Sequence, residues 1–319
     1  MYETFYGFRE RPFELTPNPR FLLLTGKHRE ALSNLEYGLM SRRGLTLLIG
    51  EAGTGKTTLL RASMERLEQR GAMIAYLNNP TLSRQEFIEF LTSAFHLSPR
   101  AATSKTVFLA ELAAVLKEKR DANELVGLVI DEAQALPDEL LEEVRLLANI
   151  ETTTEKLLPI VLAGQPELAD RLNNLSLRQL KQRVALRCTL TALDARETAE
   201  YIAGRVRVAG GNSVMVFTRQ AVDAIFVRSG GIPRLISVIC DNALISGFAA
   251  DRRPVGSDIV QDVCRDFDLL ASEAPAPPAS AAPVPQGSNT AEPGAAQPGK
   301  ERNLFEHINL RRRFSLFGL

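Results

Sequence analysis

No apolar run in this 319-residue chain approaches the roughly 20 residues that a bilayer-spanning helix needs. The opening, Met-Tyr-Glu-Thr-Phe-Tyr-Gly-Phe-Arg-Glu, has neither the basic start nor the apolar core of a signal peptide. The expected location is therefore the cytoplasm, at most the periphery of the inner membrane. Cysteine is scarce. Cys188, Cys240 and Cys264 stand singly on apolar segments, with no paired spacing for a metal or a disulfide framework, which reads as core packing in a reducing compartment. Net charge is missing as well: 38 Lys and Arg balance 38 Asp and Glu, so any nucleic-acid surface must be local. What the chain has in quantity is apolar residues, at 45%, enough to build the core of one large domain or two smaller ones.

Residues 50–58 read Gly-Glu-Ala-Gly-Thr-Gly-Lys-Thr-Thr. They follow the apolar run 45–49 and precede a helical pattern that begins at Lys56. That is the strand, glycine turn and helix start in which G-x-x-x-x-G-K-[ST] holds phosphates. Gly50, Gly53 and Gly55 let the backbone through Glu51, Ala52 and Thr54 wrap a phosphate chain with its N–H groups inward. The helix start at Lys56, Thr57 and Thr58 adds unpaired donors and partial positive charge. Lys56 is expected to reach the β- and γ-phosphates of ATP, and the Thr57 hydroxyl to ligate Mg²⁺.

A second nucleotide signal lies in residues 125–134, Leu-Val-Gly-Leu-Val-Ile-Asp-Glu-Ala-Gln. Asp131, at the end of an apolar strand, can hold Mg²⁺ through its water shell. Glu132 can take a proton from the water that attacks the γ-phosphate. A strand followed by Asp-Glu is weak alone and strong when paired with the upstream loop. Further short apolar strands are expected at 72–77, 157–163 and 184–190. Helices are expected at 27–40, 57–69, 106–120, 137–149 and 175–183, with one more starting at a Ser83/Glu86 capping box. Strands alternating with helices give an α/β fold, a five-stranded parallel sheet covered on both faces, with nucleotide at the carboxyl ends of its strands. Gln165 then falls at a strand tip beside the acidic pair, as a γ-phosphate sensor or as a plain strand-end residue.

Residues 1–26 set Phe5, Phe8, Phe13 and Phe21 among Pro12, Pro17 and Pro19. This is irregular chain that buries its rings, as a strap or as one wall of an adenine pocket. Beyond residue 190 only helical patterns remain. Asp194, Thr218 and Ser257 read as caps, Gly210-Gly211 and Gly230-Gly231 as stops, and Pro233 as a first-turn residue. The expected organisation is a linker (1–26), a nucleotide-binding domain (27–190), an all-helical lid (191–271), a disordered Ala/Pro-rich tether (272–300) and a basic amphipathic tail (301–319). The tail reads as a docking peptide, a membrane-surface anchor or an unstructured end. Arg234, at a helix start in the lid, reads as a surface ion-pair partner or a γ-phosphate contact.

With these residues assembled, the chain resembles the AAA+ P-loop ATPases, and most of all the general secretion pathway protein A (ExeA-type) family, which includes ATPases encoded beside exosortase and pilus systems. The resemblance spans residues 1–270. It rests on Tyr2-x-x-Phe5-Tyr-Gly-Phe8, Pro12-Phe13-x-Leu-Thr-Pro-x-Pro-Arg-Phe21, His28-x-Glu30-Ala31-Leu32 and residues 50–58. Gly164-Gln-Pro-Glu-Leu168, Arg178-Gln-Leu-x-Gln-Arg183 and Gly231-Ile-Pro-Arg234 complete it. It implies Walker A at Lys56 and Thr57, Walker B at Asp131 and Glu132, sensor 1 at Gln165 and sensor 2 at Arg234. It also implies a finger arginine reaching into the neighbouring subunit, at Arg183 with Arg178 as runner-up, so that hydrolysis needs a homo-oligomer, ring or spiral. ExeA-type proteins continue through a membrane helix into a peptidoglycan-binding region, which this chain does not show. A partner is therefore expected to supply membrane attachment.

The expected function is an oligomeric ATPase that drives or regulates assembly of an envelope secretion, pilus or polysaccharide-export machine, docked through its tail. A second reading is a DNA-binding AAA+ regulator similar to transposition ATPases. It requires Arg205, Arg207, Arg252 and Arg253 to line one face, and no helix-turn-helix module follows the lid. A third is an adaptor that binds ATP and hydrolyses it negligibly.

Overall fold

The central strand, β1 (Leu45–Gly50), is buried along all six of its residues. The computed structural model describes residues 1–22, 25–78 and 80–267; the tether 272–300 and the tail 301–319 lie outside the described residues. β1 is joined by β2 (Met73–Leu77), β3 (Val126–Ile130), β4 (Ile160–Gly164) and β5 (Val184–Leu190) in the order β2-β3-β4-β1-β5. All the pairings are parallel. Such strands are apolar on both faces because helices cover both. The helices before and between them are α1 (Tyr2–Tyr6), α2 (Gly26–Met40), α3 (Lys56–Glu68), α4 (Arg84–Ala94), α5 (Pro99–Thr103), α6 (Lys105–Asp121), α7 (Asp138–Leu147), α8 (Pro166–Arg171) and α9 (Arg178–Lys181). The lid follows as α10 (Ala195–Val208), α11 (Arg219–Ser229), α12 (Pro233–Ala249) and α13 (Ser257–Asp266).

Strand order positions the site. β4 runs between β3 and β1, with Leu162 in register with both Ile130 and Leu47. The three chain segments that leave the carboxyl ends of β1, β4 and β3 therefore emerge side by side. One sheet face packs Phe87, Phe95, Phe108, Leu140 and Val144; the other packs Leu35, Leu39, Leu59, Leu60 and Leu67. Truncating any of these leucines to alanine removes about 2–5 kcal/mol.

The N-terminal segment belongs to the lid. Tyr2, Tyr6, Phe8, Phe13 and Phe21 share one buried cluster with Ile202, Val206, Ile225, Ile239 and Val260. Its first residues are helical rather than irregular. Proline begins only at Pro12, so residues 2–6 are free to wind, and Gly7 ends the turn in the left-handed conformation.

Other expectations are corrected. β4 starts at Ile160 rather than 157, since Pro159 has no N–H for the ladder. The helix expected over 175–183 is split into a 3₁₀ turn (Leu175–Leu177) and α9, with Leu177 at φ −105°, ψ 8°. α5, which opens on Pro99 after Ser98, was not foreseen. Gly256, not Ser257, caps α13, and Ser257 is its first residue. The capping boxes at Ser83/Glu86 and Asp194/Glu197 are both formed. No helix among the described residues is long and apolar enough to cross a membrane.

Candidate functional site

After Gly50 the chain turns through Gly53 (φ +80°) and Gly55 (φ +99°), backbone conformations that strain any side chain. Thr54, fully buried, ties the loop to itself by donating its hydroxyl to the Glu51 carbonyl at 2.8 Å. Gly55 caps α3 without a side chain, so the first N–H groups of that helix have no side-chain partner there.

Lys56 is 4% exposed, and its Nζ donates to the carbonyls of Gly50 (2.7 Å) and Glu51 (3.1 Å). Burial pushes its pKa below the ordinary lysine value, while Glu132 and Asp131 pull it back up. The ammonium makes no ion pair among the described residues. A buried cation, a collar of glycine backbone and a helix start together make a polyanion site.

Across from Lys56, the Thr57 hydroxyl donates to Asp131 Oδ2 at 2.6 Å. Asp131 is fully buried at the tip of β3, and its Oδ1 accepts the Glu132 N–H at 2.9 Å. Tyr76 also donates to Oδ2, at 3.4 Å; burial first, then the Asp131 charge, pushes its phenol to about 12, so it remains a donor. No group of three or more His, Cys, Asp or Glu among the described residues is arranged to hold a metal. Thr57 and Asp131 fit a hard, oxygen-seeking ion such as Mg²⁺ that takes its other ligands from phosphate and water.

Glu132 stands at φ +51°, and its Oε2 accepts from Gln134 Nε2 (2.5 Å) and Gln165 Nε2 (3.3 Å). Gln165 is thus beside the acidic pair, as its strand-tip position suggested. From the lid, the Arg234 N–H donates to the Gly53 carbonyl at 3.2 Å, so the start of α12 rests on the glycine loop. The Arg234 side chain is exposed, with no hydrogen bond or ion pair among the described residues. Gly231 makes that approach feasible: at φ +74°, a Cβ there would lie 1.9 Å from the Leu193 carbonyl oxygen.

These groups open on a cavity of about 300 Å³ lined by Lys56, Thr57 and Glu132 on the sheet side. Residues 14–18 of the N-terminal segment, with Tyr201, Arg205 and Arg234 of the lid, line the other side. Arg205 corrects the expectation attached to it. It is 9% exposed, donates to the carbonyls of Pro12 (2.6 Å) and Glu14 (3.1 Å) and to the Tyr201 hydroxyl (2.7 Å), and faces the ring of Phe21 at 4.9 Å. Arg252 pairs with Asp258, and Arg253 donates to the Phe5 carbonyl at 3.0 Å. Of the four arginines expected along a DNA-facing surface, Arg205 is packed inside the lid, while Arg252 and Arg253 stay exposed as they hold these partners.

His28, not foreseen as a site residue, is 4% exposed and lines the same cavity. Its Nε2 lies 3.4 Å from the Thr54 carbonyl and its Nδ1 2.8 Å from Thr25 Oγ1. A carbonyl only accepts, so Nε2 carries the hydrogen. Arg183 is exposed, just before β5, where Val184 pairs with Leu45 at the far end of β1 from the glycine loop. Five strand residues at ~3.3 Å each put it about 17 Å from its own loop. Arg178, at the start of α9, is exposed as well.

Residues 39–172 match a family model described as an AAA domain. Over 253 residues, 78% of its length, the chain is 41% identical to general secretion pathway protein A of Aeromonas hydrophila, and it spans 45% of that protein. The fold is similar to that of the ORC2 protein of Aeropyrum pernix in ADPNP–ADP complexes, with a TM-score of 0.60 and 16% identity over 81% of this chain and 72% of that one. It is likewise similar to Cdc6p of Pyrobaculum aerophilum, with a TM-score of 0.62 and 18% identity over 80% and 70%. The glycine loop, the strand order, the domain match and the secretion-protein similarity agree: the chain is an AAA+ ATPase resembling general secretion pathway protein A.

Proposed function

We propose that the chain hydrolyses ATP with Mg²⁺ and does so as a homo-oligomer. The observation that carries this reading is the convergence at one end of the sheet of Lys56, Thr57 and Glu132, which line one cavity with Arg234, and of Asp131 and Gln165, hydrogen-bonded to Thr57 and Glu132. Lys56 and the glycine-loop N–H groups bind the β- and γ-phosphates. Thr57 and Asp131 would hold the ion, which would supply charge neutralisation. Glu132 orients the attacking water and takes its proton. Gln165 and Arg234 contact the γ-phosphate from the sheet and the lid. Arg183 cannot reach its own loop, which supports a role in the neighbouring subunit's site.

The sequence similarity to general secretion pathway protein A supports service to an envelope machine for secretion, pilus or polysaccharide export. The tail at 301–319 is then the docking element to a partner at the inner membrane. The primary test is purified protein given ATP with Mg²⁺, read by melting temperature, self-association and phosphate release. All three respond in the wild type, and Lys56→Ala abolishes them. A wild-type protein indifferent to ATP and Mg²⁺ sinks the reading.

A further inference from the structure

Resting on that reading, we infer that Gln134 is a positioning residue for hydrolysis, holding the Glu132 carboxylate in register with the tip of β4. Gln134 works on both sides of its amide. Nε2 donates to Glu132 Oε2 at 2.5 Å, while Oε1 accepts the backbone N–H of Gln165 at 3.1 Å. These partners settle which way the amide points. Turned over, its NH₂ would meet an N–H and its oxygen a carboxylate, two repulsive contacts. Gln165 closes the ring by donating its own side-chain amide to the same Oε2 at 3.3 Å.

The consequence is directional. Both amides converge on Oε2, whereas Oε1 takes no hydrogen bond from the described residues, and Glu132 lines the cavity. One oxygen is anchored and the other is left for water. The Glu132 backbone is itself in the left-handed region (φ +51°), which persists only where the surroundings hold it. Arg171 supplies that hold. Its guanidinium donates to the carbonyls of Gln134 (2.7 Å) and Leu136 (2.8 Å) and pairs with Asp138, clamping the turn from α8. Gly164 leaves the space, because a Cβ there would lie 2.9 Å from Gln134 Oε1. Gln134 therefore couples the water-activating acid to the strand that carries the γ-phosphate contact.

The test compares wild type, Gln134→Leu, Glu132→Gln and the double variant as full-length protein with ATP and Mg²⁺, by nucleotide titration and kcat. Gln134→Glu is run beside them, since it keeps the acceptor for Gln165 and loses the donor to Glu132. Both Gln134 variants are expected to hold nucleotide affinity within about twofold while kcat falls about tenfold or more. The Gln134→Leu change is expected to add nothing in the Glu132→Gln background, because it acts through that carboxylate. Wild-type kcat in the Gln134 variants, or a full extra loss in the double variant, overturns the inference and leaves the ATPase reading standing. A wild type that hydrolyses no faster than Glu132→Gln instead overturns the ATPase reading itself.

Discussion

Thr57 and Asp131 share a 2.6 Å hydrogen bond between the start of α3 and the tip of β3. The Thr57 hydroxyl spends its one hydrogen on Asp131 and keeps its lone pairs, so it would ligate a metal without giving up that bond, and Oδ2 also has Tyr76 as donor. Thr57→Val removes the ligand at nearly the same shape. It should weaken binding of ATP with Mg²⁺ by about tenfold or more and leave binding in EDTA unchanged. Thr57→Ser should behave as wild type. Titration of a fluorescent ATP analogue with and without metal decides it, and equal losses in both conditions would take Thr57 out of the metal site.

Arg183 lies at the wrong end of β1 to serve its own loop. Arg183→Ala should lower kcat by about 10³-fold, as loss of a finger arginine does. Mixed with Lys56→Ala, which lacks the phosphate contact but keeps Arg183, it should recover part of the activity at mixed interfaces. Phosphate release measured across mixing ratios reads this out. Two folded, oligomeric variants that stay inactive together would move the finger to Arg178.

Arg205 joins the N-terminal segment to α10 at the cavity wall. Arg205→Met leaves the Pro12 and Glu14 carbonyls without their donor and removes the cation from the Phe21 face. The loss should be about 2–4 kcal/mol in urea unfolding. Because residues 14–18 line the cavity, the KM for ATP should rise as well. Unchanged stability would mean that the buried rings alone hold the segment.

His28 carries a pH prediction. Burial lowers its pKa from the ordinary 6.5, opposed by the Thr54 carbonyl and the Glu197 charge. Above that value both folded and unfolded states hold a neutral ring, and its contribution is intact. As pH falls below it, the unfolded chain takes a proton that the folded chain refuses, so stability drops, by at most about 1.4 kcal/mol per pH unit. Melting temperatures from pH 7.5 down to 5.5 should fall more steeply in wild type than in His28→Gln. Parallel slopes would show that His28 titrates alike in both states.

Much of the site was legible because it is local. The glycine loop, Lys56 and Thr57 occupy nine consecutive residues, and the box at Ser83/Glu86 and the cap at Asp194 each close over one helical turn. A hydrogen bond between near neighbours depends on backbone torsions that the intervening residues set, so a short string suffices to read it.

Beyond the placing of Gln165 near the acidic pair, contacts between distant segments were not legible. Residues 131–134 announce acids and an amide, yet the Gln134–Gln165 contact exists because β4 lies between β3 and β1. Arg205 reads as a surface charge until the N-terminal aromatic rings and carbonyls close around it. The amino-acid sequence by itself determined the phosphate cradle, the acids and the lid helices, since periodicity and turn chemistry act over a few residues. The tertiary structure decided which strand tips adjoin and which arginines are buried, because burial and strand order emerge only when segments far apart in the chain pack together.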